Sequence, residues 1–350
     1  MRNSYGIQNS KLITENSKLK TENFEDFWSR RANAQTERFD FAPLGIPATI
    51  TANQPEVLAA ARLSATRFCQ SLARETPPIR LSLVVGSERA GPLPPDLPEQ
   101  FNYTGVADWI TVSAGAWGHG FASLPSREAV IILSPELAAD SRLVSRYFID
   151  HYLLNFIVTE WAMLHASAVL SPNRERLIVL IAPHNTGKST TALHLLRAGF
   201  HFLADGMLLF RPQADGFEVA GYPVGEVKLR DDVLAHFADY AGQPVRVREQ
   251  RKTVVDLRQL HPGRVLDATF APERISLCFV ERRELAVTLV EPLTAAGVPP
   301  LLAGNSLYWD EPARLAHNTA ALEQLIRGAS LYRLRLGTEL ESIVNAVAAL

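Results

Sequence analysis

The chain has 350 residues, a length that fits one large domain or two ordinary domains with a sizeable core. Hydrophobic residues make up 47% and charged residues 21%, which is the composition of a globular protein. The formal net charge of −2 gives no sign of a nucleic-acid partner or of a surface that binds anionic membranes.

Cysteine usage and hydropathy bear on the cellular compartment. The two cysteines, Cys69 and Cys278, lie far apart in apolar contexts, which predicts buried thiols rather than a disulfide framework or a metal site. No apolar run approaches the roughly 20 residues that cross a bilayer. The N-terminus has no apolar segment of the signal-peptide kind. We therefore expect a cytoplasmic protein with no membrane partner.

The first 142 residues are predicted to form a tail and a smaller α+β domain of unknown role. Residues 1–23 are polar and contain NSKLITE followed by NSKLKTE, a repeat too short for a coiled coil. We expect a disordered tail there, with partner binding as the alternative. Nothing in residues 24–142 resembles a catalytic constellation. The predicted helices are 24–38 and 56–73, and the predicted strands are 48–52, 79–85, 109–113 and 129–133.

Residues 143–350 are predicted to form the second domain, with a P-loop kinase-like fold. Residues 143–164 have the spacing of a long helix, which we expect to pack on the sheet of this domain. A strand is predicted at 165–169. Farther along, the pattern predicts a hairpin of strands 274–280 and 285–290, helices at 315–327 and 340–350, and a strand at 331–336.

A phosphate-binding loop is the clearest motif in the chain. Residues 177–181 are a short run of Ile, Val and Leu, typical of a strand buried on both faces. Residues 182–189, APHNTGKS, match G-x-x-x-x-G-K-[ST] except that Ala182 replaces the first glycine. Residues 190–197 have helical composition, Gly199 follows as a stop signal, and the next strand ends at Asp205.

The strand–loop–helix order explains how this motif could hold phosphate. Backbone N–H groups of the loop and first helical turn lack intrahelical partners and favour an anion. Lys188 adds a mobile positive charge, and the Ser189 hydroxyl can ligate magnesium. A chance GKS after an apolar strand is the alternative. The predicted nucleotide-binding residues are Ala182, His184, Asn185, Thr186, Gly187, Lys188, Ser189 and Thr190.

Four residues outside the loop are candidates for the same site. Asp205, at a strand end, is the predicted magnesium partner, and a solvated carboxylate is the alternative. His165 is either a catalytic residue or a histidine satisfied within the core. Arg251 and Lys252 lie in a charged run, which is more typical of a solvated face than of phosphate contact.

These residues together resemble a known family. His165 at a strand, the GKS loop, a helix ending in Arg197-Ala-Gly199, and Leu203-Ala-Asp205 look like the HPr serine kinase/phosphorylase family and the HPr-kinase-related proteins, over about residues 160–285. The resemblance implies an α/β P-loop fold, related to that of phosphoenolpyruvate carboxykinase, with a sheet and flanking helices.

The resemblance also implies roles for individual residues. Lys188 would contact the β- and γ-phosphates, Ser189 and Asp205 would hold Mg²⁺, and His165 would approach the transferred group. Arg251 and Lys252 would reach the phosphates or the acceptor. Besides Ala182, the chain departs from the family at Gly206, which stands where a second acidic residue is usual. The signature segment of true HPr kinases is not evident, so HPr is not the expected substrate.

The leading hypothesis is a magnesium-dependent kinase that uses ATP or GTP. Its acceptor would be a serine-like hydroxyl on a protein, a peptide or a small molecule. A nucleotide-binding regulatory module with little turnover is the alternative, which Ala182 and Gly206 motivate. A decarboxylase like the carboxykinases is less favoured, because no cluster of basic and metal-ligating residues that would grip oxaloacetate is evident. The family resemblance is compatible with a homo-oligomer.

Overall fold

A computed structural model describes residues 36–247, 250–302 and 312–350. The predicted tail at 1–23 and most of the predicted helix at 24–38 lie outside these residues. Within them the chain forms strands β1 (Glu37–Phe41), β2 (Ala48–Ala52), β3 (Ile79–Val85), β4 (Asn102–Val106), β5 (Trp109–Ser113), β6 (Gly118–Ser123), β7 (Glu128–Leu133), β8 (Ala162–Leu164), β9 (Ser167–Leu170), β10 (Arg176–Ile181), β11 (His201–Asp205), β12 (Met207–Gln213), β13 (Gly216–Tyr222), β14 (Glu226–Leu229), β15 (Gln243–Val247), β16 (Gln250–Asp256), β17 (Arg274–Arg282), β18 (Leu289–Pro292) and β19 (Ser330–Leu336).

The helices of the described residues differ widely in length. The α-helices are α1 (Leu58–Ala65), α2 (Leu97–Gln100), α3 (Pro135–Ala138), α4 (Ser141–Leu143), α5 (Asp150–Ile157), α6 (Lys188–Arg197), α7 (Asp231–Leu234), α8 (Leu257–Leu260), α9 (Pro299–Leu302), α10 (Pro312–Gly328) and α11 (Leu340–Ala348). A π-helical segment, Val144–Ile149, joins α4 to α5, so that α4, this segment and α5 form one continuous helical rod. Within the described residues, no helix has both the length and the apolarity to cross a bilayer.

The N-terminal part is built on a seven-stranded sheet. Its strand order is β1-β2-β3-β7-β6-β5-β4, and β2, β3 and β7 run parallel. Alternating residues such as Leu81 and Leu83 are buried, while the residues between them face outward. The four strands predicted for this part are all present with their bounds within one residue. The predicted helix at 56–73 is shorter, because the chain after Ala65 turns so that Phe68 and Cys69 enter the core.

The long apolar segment after residue 142 does not pack as predicted. The helical rod ends at Ile157, and residues 162–164 form β8. Its buried side chains, among them Phe148, Tyr152 and Phe156, join the same core as the seven-stranded sheet. The apolar spacing predicts a helix correctly. Which of two sheets it covers depends on long-range contacts that the spacing does not encode.

The second part is a mixed α/β structure. Its six-stranded sheet has the order β11-β9-β10-β17-β19-β18, with β10, β17 and β19 parallel. On one face α10 and the sheet β13-β12-β8 complete a core, and on the other face α6, α11 and the sheet β14-β16-β15 complete another. Residues of β10 are therefore buried on both faces, which explains its uninterrupted apolar sequence.

Two local predictions for this part were wrong. The strand predicted at 285–290 is Leu289–Pro292, and it pairs with β19 rather than with β17, so no hairpin forms. The strand predicted at 165–169 is Ser167–Leu170, which leaves His165 in the connection from β8. Both cysteines are buried free thiols, as predicted, and burial raises the pKa of each to about 12.

A buried polar cluster joins the two parts of the chain. Arg67 pairs with Asp150, which is 1% exposed, and the Tyr222 hydroxyl donates to the same carboxylate at 2.6 Å. Arg67 also donates to the Ser145 hydroxyl at 3.2 Å. Burial raises the pKa of Tyr222 to about 12, although the cationic Arg67 opposes the shift. Removing one partner of such a buried ion pair would leave an uncompensated charge, which is costly. The cluster therefore fixes how β13 packs against the helical rod.

His151, on α5, is expected to make the fold sensitive to acid. Burial lowers its pKa to about 4, against 6.5 for the free side chain. Between these two values the unfolded chain binds the proton and the folded chain does not, so stability falls as the pH falls from 6.5 towards 4. The loss from this residue is up to about 3 kcal/mol. Urea unfolding at pH 7 and pH 5 should show a smaller pH effect in His151→Gln, and an equal effect would contradict the prediction.

Candidate active site

The 182–187 loop connects β10 to α6 at the carboxyl edge of the parallel strands. Gly187 caps α6 with a φ of +113°, and Asn185 has a φ of +63°. The first of these values favours glycine, because side chains rarely tolerate that region. Ala182 is buried and has no positive φ, and the positive φ values of the loop occur at Asn185 and Gly187, three and five residues after Ala182. Alanine at this position is therefore compatible with the observed loop.

Lys188, the first residue of α6, is folded back into the loop. Its Nζ donates to the carbonyl oxygens of Ala182 at 2.6 Å and Pro183 at 3.0 Å, and the residue is 7% exposed. Burial lowers its pKa, and the nearby Asp205 opposes this shift. The ammonium group therefore lies inside the loop, where the open N–H groups of the first turn of α6 also converge.

Asp205 lies at the end of β11 and faces the loop. β11 and β10 run in the same direction because each is antiparallel to β9 between them. The Oδ1 atom of Asp205 accepts hydrogen bonds from Ser189 Oγ at 2.8 Å and from Ser167 Oγ at 2.5 Å. Oδ2 accepts none from the described residues, so one carboxylate oxygen is held and the other is open.

Ser167 is the site residue that sequence reasoning missed. It is fully buried and lies directly opposite Asp205 in the pairing of β9 with β11. Its signal in the sequence is a hydroxyl residue in an otherwise apolar strand, which alone does not indicate a partner. The oxygens of Ser167, Ser189 and Asp205 are the hard donors that Mg²⁺ prefers. Among the described residues there is no cluster of three or more His, Cys, Asp or Glu that could hold a metal by itself.

His165 points towards the same edge from the connection before β9. Its Nδ1 lies 2.7 Å from the carbonyl oxygen of Gly206. A carbonyl only accepts, so Nδ1 carries the proton, and Nε2 has a free lone pair in the neutral ring. Burial lowers the pKa of His165, and the cationic Lys188 lowers it further. The ring centroid of His184, on the exposed loop, is 4.8 Å away.

Gly206 occupies a backbone conformation that disfavours the acidic residue usual in the resembled family. Its φ is +111°, although a Cβ placed there would meet no atom within 4 Å. We expect Gly206→Ala and Gly206→Asp to lose a similar stability of about 1–3 kcal/mol, because both are strained by the backbone. Urea unfolding measures this loss. A loss confined to the aspartate variant would show that charge repulsion from Asp205, not backbone strain, governs the position.

The remaining predicted residues are placed as follows. Thr186 donates from its hydroxyl to the Pro183 carbonyl at 3.0 Å, Asn185 is exposed at the tip of the loop, and Thr190 is half-buried in the first turn of α6. Arg251 and Lys252 lie on β16, in the separate sheet β14-β16-β15. Among the described residues, neither forms a hydrogen bond or ion pair with the loop, and their contact with phosphate stays a prediction.

Comparisons with known proteins include a distant likeness to a solved structure. No protein-family model matches the sequence, and no curated protein matches it. A solved structure of the HPr(Ser) kinase/phosphatase from Coxiella burnetii aligns with 47% of this chain and 91% of that chain, at 10% identity and a TM-score of 0.26. A TM-score of this size does not establish a common fold. The functional assignment therefore depends on the contacts around Lys188 and Asp205.

Proposed function

We propose that this protein binds a nucleoside triphosphate at the 182–190 loop and transfers its γ-phosphoryl group to a hydroxyl acceptor. The observation that carries the proposal is the convergence of Lys188, Ser189 and Asp205 at one edge of the sheet. Phosphoryl transfer needs positioning, neutralisation of phosphate charge and a group that orients the attacking hydroxyl. The first turn of α6 and Lys188 supply the positive field for the phosphates.

Other side chains would hold the metal ion and accept the proton of the acceptor. Ser189 and Asp205 would hold Mg²⁺, which neutralises phosphate charge when bound. The bond from the γ-phosphorus to the β–γ bridging oxygen breaks as the acceptor oxygen bonds to phosphorus. The proton of the acceptor hydroxyl passes to Nε2 of His165 or to the open oxygen of Asp205. His165 suits this role because its lowered pKa keeps it neutral near pH 7.

Labelled nucleotide provides the direct test of this activity. Purified protein with magnesium and γ-labelled ATP or GTP is incubated with serine-containing peptides, protein fractions and small hydroxyl compounds. We expect label in at least one acceptor class and none when magnesium is omitted. Absence of nucleotide binding would contradict the proposal outright.

A nucleotide-binding regulatory module is the second candidate. Two observations favour it: Lys188 is tied to the carbonyls of Ala182 and Pro183, and Gly206 supplies no second carboxylate. Turnover requires Lys188 to leave those carbonyls for the phosphates, whereas binding alone could be satisfied by backbone N–H groups. Magnesium-dependent binding without transfer to any acceptor or to water would select this candidate.

A further inference from the structure

A second cationic surface lies on the sheet β14-β16-β15. The sheet β14-β16-β15 buries Val227, Leu229 and Val255 on one face in the core around α6. Pairing registers place Lys228 opposite Val254, Gln243 opposite Val254, and Val245 opposite Lys252. Residues directly opposite each other in a sheet share a face. Glu226, Lys228, Gln243 and Lys252 therefore lie together on the face that is turned away from that core.

The helical rod forms the other wall of a cleft over this face. Arg146 pairs with Glu226, and Arg142 donates to Gln243, so two successive turns of the rod are tied to β14 and β15. We call this space, between Arg142 and Arg146 on one wall and Lys228 and Lys252 on the other, the basic cleft.

The basic cleft has more positive than negative charge. Four cationic side chains face it, and the carboxylate of Glu226 is already paired with Arg146. Asp256, which lies on the same face opposite Glu226, is engaged with Arg258, and the neighbouring Asp150 is engaged with Arg67. Lys228 and Lys252 form no hydrogen bond or ion pair with any described residue. Lys228 is reached by solvent but crowded by protein atoms, and this desolvation, followed by Arg146, lowers its pKa.

Lysine usage singles out the same positions. Beyond residue 20 the chain has arginine as its cation everywhere except at Lys188, Lys228 and Lys252. An ammonium group is a compact charge with three rotatable donors, and it adapts to an oxyanion without the fixed fork of a guanidinium. Unpaired like charges at one site repel one another, and a bound anion removes that repulsion.

The strand that precedes β14, β13, pairs with β12, the strand that follows Asp205. Tyr222, whose hydroxyl bonds Asp150 of the buried cluster, pairs with Met207, two residues after Asp205. We propose that the basic cleft binds an oxyanion, a phosphate or carboxylate group, carried by the acceptor whose hydroxyl is phosphorylated. That the oxyanion belongs to an acceptor rests on the proposed function, whereas oxyanion binding itself can be measured separately.

Binding of simple oxyanions tests the cleft without any nucleotide. The Lys188→Ala variant, which lacks the lysine of the loop, is titrated by calorimetry with inorganic phosphate and, separately, with succinate. Phosphate tests for a phosphate group and succinate for a carboxylate group. We expect saturable binding of at least one of them. Adding Lys228→Met and Lys252→Met should weaken it about tenfold or more, since both unpaired charges are lost. Adding Lys228→Arg and Lys252→Arg instead should retain more of it than the methionine changes, because the positive charges remain.

A charge remote from the cleft provides the control. Arg80→Met, on the outer face of the seven-stranded sheet, removes a charge remote from the cleft and should leave the affinity unchanged. Equal affinity with and without the two lysines, or no saturable binding, would overturn the inference. Oxyanion binding that depends on Lys228 and Lys252 in a protein that binds no nucleotide would preserve the cleft and refute the proposed function. Nucleotide binding in a protein whose oxyanion binding does not depend on Lys228 and Lys252 would refute the cleft alone.

Discussion

Replacing Lys188 by alanine is expected to lower kcat/KM for phosphoryl transfer by about 100-fold or more. Lys188 is the one side chain of the loop whose charge can move from the Ala182 and Pro183 carbonyls to the phosphates. Its loss removes a charge-assisted hydrogen bond in a partly desolvated site, where such bonds are strongest. Steady-state kinetics with a fixed acceptor measures the effect.

Stability must be separated from chemistry in this experiment. Lys188→Ala also removes a buried side chain, whereas Lys188→Met retains most of its volume without the charge. We expect the two variants to differ in the free energy of unfolding but to lose activity equally. Full activity in the methionine variant would show that the ammonium group does not act on the phosphates.

Replacing Asp205 by asparagine is expected to have the second large effect, on the response to magnesium. Asparagine is close in shape and can still accept the bond from Ser189 or Ser167 through its oxygen, so the local geometry should be kept. The negative charge that would hold the metal is lost. We expect the magnesium concentration for half-maximal activity to rise about tenfold or more, with a large fall in kcat.

Ser167→Ala is the matched control for this substitution. Ser167 is buried and contacts Asp205 without lying in the loop, so its removal should loosen the carboxylate but leave its charge. We expect a smaller shift in the magnesium response than in Asp205→Asn. An unchanged magnesium titration in Asp205→Asn would mean that this carboxylate does not hold the metal.

The loop and its strand were predictable because their signals are local. The apolar run of β10, the GKS residues and Gly199 each act through neighbours a few residues away. Asp205 could be placed at the same edge because parallel strands align their carboxyl ends. The pairing of Ser167 with Asp205 could not, since it depends on the register of two strands nearly 40 residues apart.

The packing of the N-terminal part against the rest of the chain was least predictable from the sequence. The spacing of residues 143–157 indicates a helix but not that it packs in the first core and also presents Arg142 and Arg146 to β14 and β15. Arg67 and Asp150 have no partners visible in their own segments. Long-range contacts of this kind join the seven-stranded sheet to the neighbourhood of the candidate site.

Gly206 shows how the structure changes the meaning of a sequence difference. In the sequence it is a missing carboxylate, but the structure gives its backbone a φ of +111° and its carbonyl a hydrogen bond from His165. A residue in this conformation holds the imidazole in one tautomer. We infer that proton transfer would fall to His165 and Asp205 rather than to a second acid.

A calorimetric titration of ATP and GTP, with and without magnesium, tests the central claim most directly. The proposed site predicts saturable binding of at least one nucleotide, tighter with magnesium, that is weakened strongly in Lys188→Ala. It also predicts that Asp205→Asn removes most of the magnesium effect while retaining some binding. No binding of either nucleotide, or binding that is the same in wild type and Lys188→Ala, would contradict the assignment of the 182–190 loop as a nucleotide site.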